Sequence, residues 1–250
     1  MARGPSRGRT DTQSMAVFDC RLFSIDDRGC GMKICSDSIL LGAWFLPPYS
    51  SAARVLDVGA GSGILSLMAA QVCPQAQVCG VEINADAAAA ARANFAASAW
   101  STRLEMTEGD FMQTDFEEPF DLIISNPPYF TNGAVSPDSS RAGARHAAGL
   151  GFREVLARGA RLLAPGGRLG LVSPSDAESE ILFAATVAGL RLWRICRVRT
   201  SPRKPSTRIL WDFGLTDGPV LAETLEMRNA DGCPSEAYAA LVGPFYTKIR

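Results

Sequence analysis

Between Arg54 and Gly214, short apolar segments alternate with segments of helical spacing, and this alternation limits the possible folds more than any other feature of the chain. Arg54–Val58, Gln77–Glu82, Arg103–Thr107, Phe120–Ser125 and Arg168–Ser173 read as buried strands, and Leu190–Val198 and Thr207–Gly214 as closing strands. Helices are predicted through Leu65, Leu67, Met68 and Ala69, over Ala85–Ala97, Phe152–Leu163 and Ala177–Ala188, and from Ser235-Glu236 until Gly243-Pro244. Strands alternating with helices imply right-handed crossovers and a mainly parallel sheet. With 250 residues, 47% of them hydrophobic and 20% charged, the chain can form one large α/β domain, expected over 16–250. Residues 1–15, with Arg3, Arg7 and Arg9 among Gly, Ser and Pro, read as a disordered basic tail. No apolar run approaches the roughly 20 residues that span a bilayer, so no membrane partner is expected.

The first strand runs into Asp57-Val58-Gly59-Ala60-Gly61-Ser62-Gly63, which opens a helix. Gly59, Gly61 and Gly63 suit a tight strand-to-helix turn and close approach of a ligand to the backbone. The spacing is G-x-G-x-G, and Ile64 stands where a dinucleotide fingerprint would carry its third glycine. Glu82 ends the next strand and can accept both hydroxyls of a ribose, a role that serves a nicotinamide dinucleotide as well as S-adenosylmethionine (SAM). Asp110 follows the third strand, where its carboxylate can accept from an adenine amino group, and Phe111 or Ile83 can pack on the ring. Either acid taken alone is as readily a helix cap or a solvated loop residue.

Asn126-Pro127-Pro128-Tyr129 follows the fourth strand, at the strand ends where ligands sit in open α/β sheets. An amine conjugated to an aromatic ring or carbonyl is a poor nucleophile because its lone pair is delocalised. The Asn126 side-chain oxygen and the Pro127 carbonyl can each accept one N–H, orienting the nitrogen for attack on a methyl donor. Proline stiffens such a loop, and Tyr129 can stack on a planar substrate. No general base is needed first, since the proton can leave after transfer. Together the two loops point to a class I, Rossmann-like, SAM-dependent N-methyltransferase, with Asp57 and Asn126 also beside the cofactor.

Seven cysteines form no C-x-x-C pair, and His146 is the only histidine. A zinc site or a Cys-His nucleophile is therefore not expected, and reduced thiols in a cytoplasmic protein are. The net charge of −1 conceals a basic segment. From Arg141 to Trp211 there are 13 Lys and Arg against four acids, a balance of +9 that leaves −10 for the rest. Such a segment suits a polyanion or a set of solvated helix faces.

Met32-Lys33-Ile34-Cys35-Ser36-Asp37-Ser38-Ile39-Leu40-Leu41-Gly42-Ala43-Trp44 resembles the M-K-x-x-T-D-x-x-L-L-G-A-W block of bacterial tRNA(Val) adenine-37 N6-methyltransferases. Leu122–Phe130, Arg145-His146, Ser235–Tyr238 and Phe245-Tyr246 match as well, so the resemblance covers about residues 18 to 246. The N-P-P-Y segment is shared with other amino-methyltransferases, whereas the Met32–Trp44 block is much more specific. The resemblance implies a seven-stranded sheet with one antiparallel strand, a tRNA substrate, and Lys33, Asp37 and Leu41 near the methionine end of SAM. Ser36 stands for the usual Thr and Ser38 for a frequent Gly. Arg203-Lys204-Pro205 and Arg208 resemble the family's basic segment, and with Arg145 they are candidates for phosphate contact. A monomer or weak dimer is expected.

A protein glutamine N5-methyltransferase presents the same planar NH2 chemistry, but such enzymes usually carry an N-terminal helical domain for which residues 1–50 are too short. DNA adenine methyltransferases usually add a target-recognition domain. The same loops are also compatible with N2-guanine methylation of another nucleic acid, with a methyltransferase-like binding module without turnover, and with a nicotinamide oxidoreductase. Intact Asn126 weighs against the module. Ile64 and the lack of an acid-base pair weigh against the oxidoreductase.

Overall fold

The computed structural model describes residues 17–28, 30, 35–128 and 150–247. The expected alternation becomes an eight-stranded sheet. Its strands are β3 (Arg54–Val58), β4 (Gln77–Glu82), β5 (Leu104–Glu108), β6 (Phe120–Ser125), β7 (Leu163–Pro174), β8 (Arg191–Arg199), β9 (Ser206–Gly214) and β10 (Leu221–Glu226). A separate antiparallel pair, β1 (Val17–Asp19) and β2 (Ser24–Asp26), precedes them. The sheet order is β10-β8-β9-β7-β6-β3-β4-β5. Only β9 runs against its neighbours, β7 and β8. The sheet thus has one strand more than the seven expected. The addition is β10, an edge strand parallel to β8. Its sequence, Leu221-Ala222-Glu223-Thr224, is exposed, and so lacks the apolar run that marks a buried strand.

The helices described are α1 (Ser36–Phe45), α2 (Ile64–Val72), α3 (Ala85–Ala97), α4 (Phe152–Leu162), α5 (Glu178–Val187) and α6 (Glu236–Val242). Strand periodicity of two divides their packing. Val55, Leu122 and Ile124 point to the face covered by α1, α2, α3 and α6, while Leu56, Val58 and Ile123 point to the face covered by α4 and α5. Helix α6 begins at the expected place, where the Ser235 hydroxyl accepts from the Tyr238 N–H at 3.0 Å. Gly243 ends it, as the Gly-Pro pair predicts. No described helix is long and apolar enough to cross a membrane.

From β3 the chain builds outward through β4 and β5, then returns to β6 on the other side of β3. The order reverses between β3 and β6, which opens a crevice at their carboxyl ends, the usual ligand position in such sheets. Val58 and Ser125, the last residues of these two strands, are register partners. The glycine loop and the Asn126 loop therefore leave the sheet side by side.

Candidate active site

Each glycine of the loop meets a different constraint. Gly59, Gly61 and Gly63 all have positive φ (69°, 56° and 86°), the region that side chains disfavour. At Gly63 a Cβ would also come within 2.4 Å of the Phe95 ring, so α3 packs against bare backbone there. At Gly61 a Cβ would meet nothing within 4 Å among the described residues, which leave the top of the loop open to a ligand.

Two acids and one amide hold this loop. Asp57 is fully buried, and its Oδ2 accepts from both the Ser66 N–H (2.9 Å) and the Ser66 hydroxyl (2.7 Å). The carboxylate thus pins the first turn of α2 to the end of β3. Burial, with the Glu82 charge adding to it, pushes its pKa up to about 7 even though the Ser66 bonds pull the other way. Its Oδ1 is buried without a hydrogen-bond partner among the described residues. Glu82 stands at the rim, where Oε2 accepts from the Gly61 N–H (2.9 Å) and Oε1 from the Asn84 N–H (2.8 Å). Asn94, buried in the Ala-rich α3, donates to the Ser62 carbonyl (2.9 Å) and to the Asp26 carbonyl (3.0 Å), tying the loop to the β1–β2 pair.

At the end of β5, the Asp110 carboxylate accepts from the Met112 N–H and the Gln113 amide at 2.8 and 3.1 Å. It therefore shapes its own loop. Phe111 departs from expectation. Its ring is 3% exposed, packs beside Phe116 and lies under the Arg158 guanidinium, so it belongs to the core and offers no face to an adenine. Ile83, the other candidate, is 49% exposed beside Glu82.

Across the crevice, the Ser125 hydroxyl donates to the Val58 carbonyl at 2.8 Å and joins the two strand ends. Asn126 and Pro127 are buried, and Pro128 is half-buried. The Asn126 Nδ2 donates to the Ser38 Oγ at 3.0 Å and to the Cys35 Sγ at 3.4 Å, both at the start of α1. Asp37, between them in sequence, accepts from the Arg208 Nε at 2.7 Å. Antiparallel β9 brings Arg208 to this edge, opposite Pro174 and Val198. Arg208 is thus ion-paired with a second candidate residue. Leu41 also departs from expectation. It is fully buried in the core beneath α1 and leaves no surface for a ligand.

Arg203 and Lys204 lie exposed in the turn between β8 and β9, at the same carboxyl edge. Lys33, Tyr129 and Arg145 lie outside the described residues. Sequence reasoning does not single out Cys35, Ser38, Ser66, Asn94 or Ser125 as site residues. A polar Asn within an alanine-rich helix is the one visible signal among them.

The family model for the methyltransferase small domain matches residues 38–193. A Porphyromonas gingivalis protein named tRNA1(Val) (adenine(37)-N6)-methyltransferase is 39% identical, covering 92% of this chain and 95% of its own length. Proteins of the same name from Aeromonas hydrophila (40% identity, 93% and 98% coverage) and Vibrio vulnificus (38%, 96% and 100%) are similarly close. Among solved structures, a predicted O-methyltransferase from Agrobacterium tumefaciens superposes with a TM-score of 0.64 at 21% identity, covering 83% of this chain and 96% of that one. A glycopeptide N-methyltransferase solved with sinefungin gives 0.54 at 13% identity, covering 73% and 88%. Both share the fold.

Proposed function

The chain belongs to the tRNA1(Val) (adenine(37)-N6)-methyltransferase family, and from that membership we propose that it transfers a methyl group from SAM to N6 of adenosine 37 in the anticodon loop of a valine tRNA. One observation carries the reading. The register pair Val58–Ser125 sets an open glycine cradle and the Asn-Pro-Pro loop on neighbouring strand ends, so a bound adenosine cofactor and a target amine would meet in one crevice.

The residues present fit SAM. The space above Gly61 admits a ligand, Glu82 offers carboxylate oxygens for the ribose, Ile83 an apolar surface for the adenine and Asp110 an acceptor for its amino group. Asp37, already paired with Arg208, would offer its carboxylate to the cationic amine of the cofactor, with Lys33 nearby in the same sequence block. When bound, SAM supplies an electrophilic methyl group on a sulfonium.

The chain's own contribution is to present the nucleophile. The Asn126 amide oxygen and the Pro127 carbonyl accept the two N6 hydrogens and turn the lone pair out of conjugation, and the proton leaves to solvent after transfer. This is positioning rather than acid-base chemistry. Tyr129 stacks on the extruded base. Loop bases are already partly unstacked, which lowers the cost of extrusion. Arg203, Lys204 and Arg145 contact phosphates without reading sequence. A cytoplasmic monomer or weak dimer without a metal completes the reading.

The test is incubation with unmodified tRNA and methyl-labelled SAM, followed by mass spectrometry of nucleosides and of RNase fragments. Label is expected as N6-methyladenosine in the anticodon-loop fragment of valine tRNA. Label on protein glutamine with none in tRNA would overturn the proposal.

A further inference from the structure

The start of α1 does more than pack. Its first residues reach the proposed catalytic amide directly, through Ser38 Oγ at 3.0 Å and Cys35 Sγ at 3.4 Å from Asn126 Nδ2. Ser38 and Asn126 are both buried, so water competes poorly for these bonds. A third contact, 3.9 Å between Cys35 Sγ and Ser38 Oγ, closes the triangle. If the hydroxyl donates along that edge, its lone pairs turn to Asn126 and receive the amide N–H.

We propose that Ser38, assisted by Cys35, is a positioning residue that sets which end of the Asn126 amide faces the target amine. The amide oxygen and nitrogen diverge from one planar carbon, so holding the nitrogen on α1 turns the oxygen away from α1. A flipped amide would present N–H groups to an amine that must itself donate, which leaves donors facing donors. The bond is made by the Ser38 side chain and is not supplied by the backbone.

The inference rests on Asn126 being the residue that orients the amine, and the experiment separates the two claims. Single-turnover methyl transfer to valine tRNA would be measured for the wild type, Ser38→Ala, Ser38→Thr, Asn126→Ala and the Ser38→Ala/Asn126→Ala double variant. SAM affinity and thermal midpoint would be measured on each. Ser38→Ala is expected to slow transfer about three- to tenfold, the loss of one neutral hydrogen bond, with KM for tRNA and SAM affinity within about twofold. Ser38→Thr, which keeps the hydroxyl, should recover most of that rate. In the Asn126→Ala background the Ser38→Ala change should have no further effect, because the bond it removes is already gone. An equal loss in both backgrounds would overturn the proposal, since it would mean that Ser38 acts through the fold. So would wild-type transfer by Ser38→Ala alongside a slowed Asn126→Ala. Normal transfer by Asn126→Ala would instead remove the catalytic assignment beneath it.

Discussion

Glu82 accepts on both carboxylate oxygens, from the Gly61 N–H of the glycine loop and from the Asn84 N–H at the start of α3. A carboxylate suits this place because both oxygens accept, while a neutral amide would turn N–H groups toward N–H groups. Glu82→Ala should therefore weaken SAM binding by about 1.5–3 kcal/mol, the range for hydrogen bonds to a charged group. Glu82→Gln should recover little of it. Calorimetry on the two variants checks this, and wild-type affinity in either would take Glu82 out of the site. The place of Glu82 at a strand end and the tight turn at the spaced glycines are both legible in the sequence. Phe111 is misread from sequence because an aromatic after Asp110 suits an adenine and a core equally well. Only tertiary packing sends it inward beneath Arg158. Contacts such as Asn126 with Ser38 join residues 88 apart in sequence and leave no local pattern to read.

At the scale of elements, the roles proposed for the glycine loop and the β8–β9 turn can be tested separately. Gly63 combines a φ of 86° with a Phe95 ring 2.4 Å from any added Cβ. Gly63→Ala should cost about 2–4 kcal/mol from left-handed strain and overpacking. A lower urea midpoint at unchanged m would show it, and an unchanged midpoint would contradict the packing of α3 on this loop. The β8–β9 turn bears exposed Arg203 and Lys204, whereas Arg208 at the root of β9 is held by Asp37. Replacing Arg203 and Lys204 together with alanine should lower the salt dependence of tRNA affinity by about 1.4 log units per decade, 0.7 for each single-strand phosphate contact. SAM affinity should not change. An unchanged slope would place the RNA elsewhere. The basic character of this segment is plain in the sequence. The pairing of Arg208 is not, because it depends on an antiparallel strand bringing residue 208 to the edge where α1 begins.

For the molecule as a whole, two buried carboxyls make stability depend on pH in an unusual direction. Asp57, at the end of β3, and Asp212, in β9 against the Tyr49 hydroxyl (2.6 Å), are both raised by burial, to about 7 and about 6. A carboxyl whose pKa is higher in the folded state holds its proton more tightly when folded. Its contribution is complete below the unfolded value near 4 and declines as pH rises through the folded value. From pH 4 to 6 both groups should lower stability on raising pH, each by at most about 1.4 kcal/mol per unit, and Asp57 should continue to about pH 7. Asp212→Asn should flatten the decline up to about pH 6 in urea unfolding curves, leaving only the Asp57 part. A decline of undiminished slope in that variant would contradict the assignment.

The parallel sheet, its reversal between β3 and β6 and the crevice there follow from the alternation of strands and helices. Strand β10 does not, since its residues are exposed and it is recruited only by pairing with β8. The central claim joins this crevice to one reaction. It is tested most directly by methyl transfer from labelled SAM to two valine tRNA transcripts, one with adenosine and one with guanosine at position 37, using the wild type and Asn126→Ala. N6-methyladenosine is expected only with the adenosine transcript and the wild type, with a transfer rate lowered at least about a hundredfold in Asn126→Ala while SAM affinity is kept. Label on the guanosine transcript at a comparable rate, or wild-type transfer by Asn126→Ala, would contradict it.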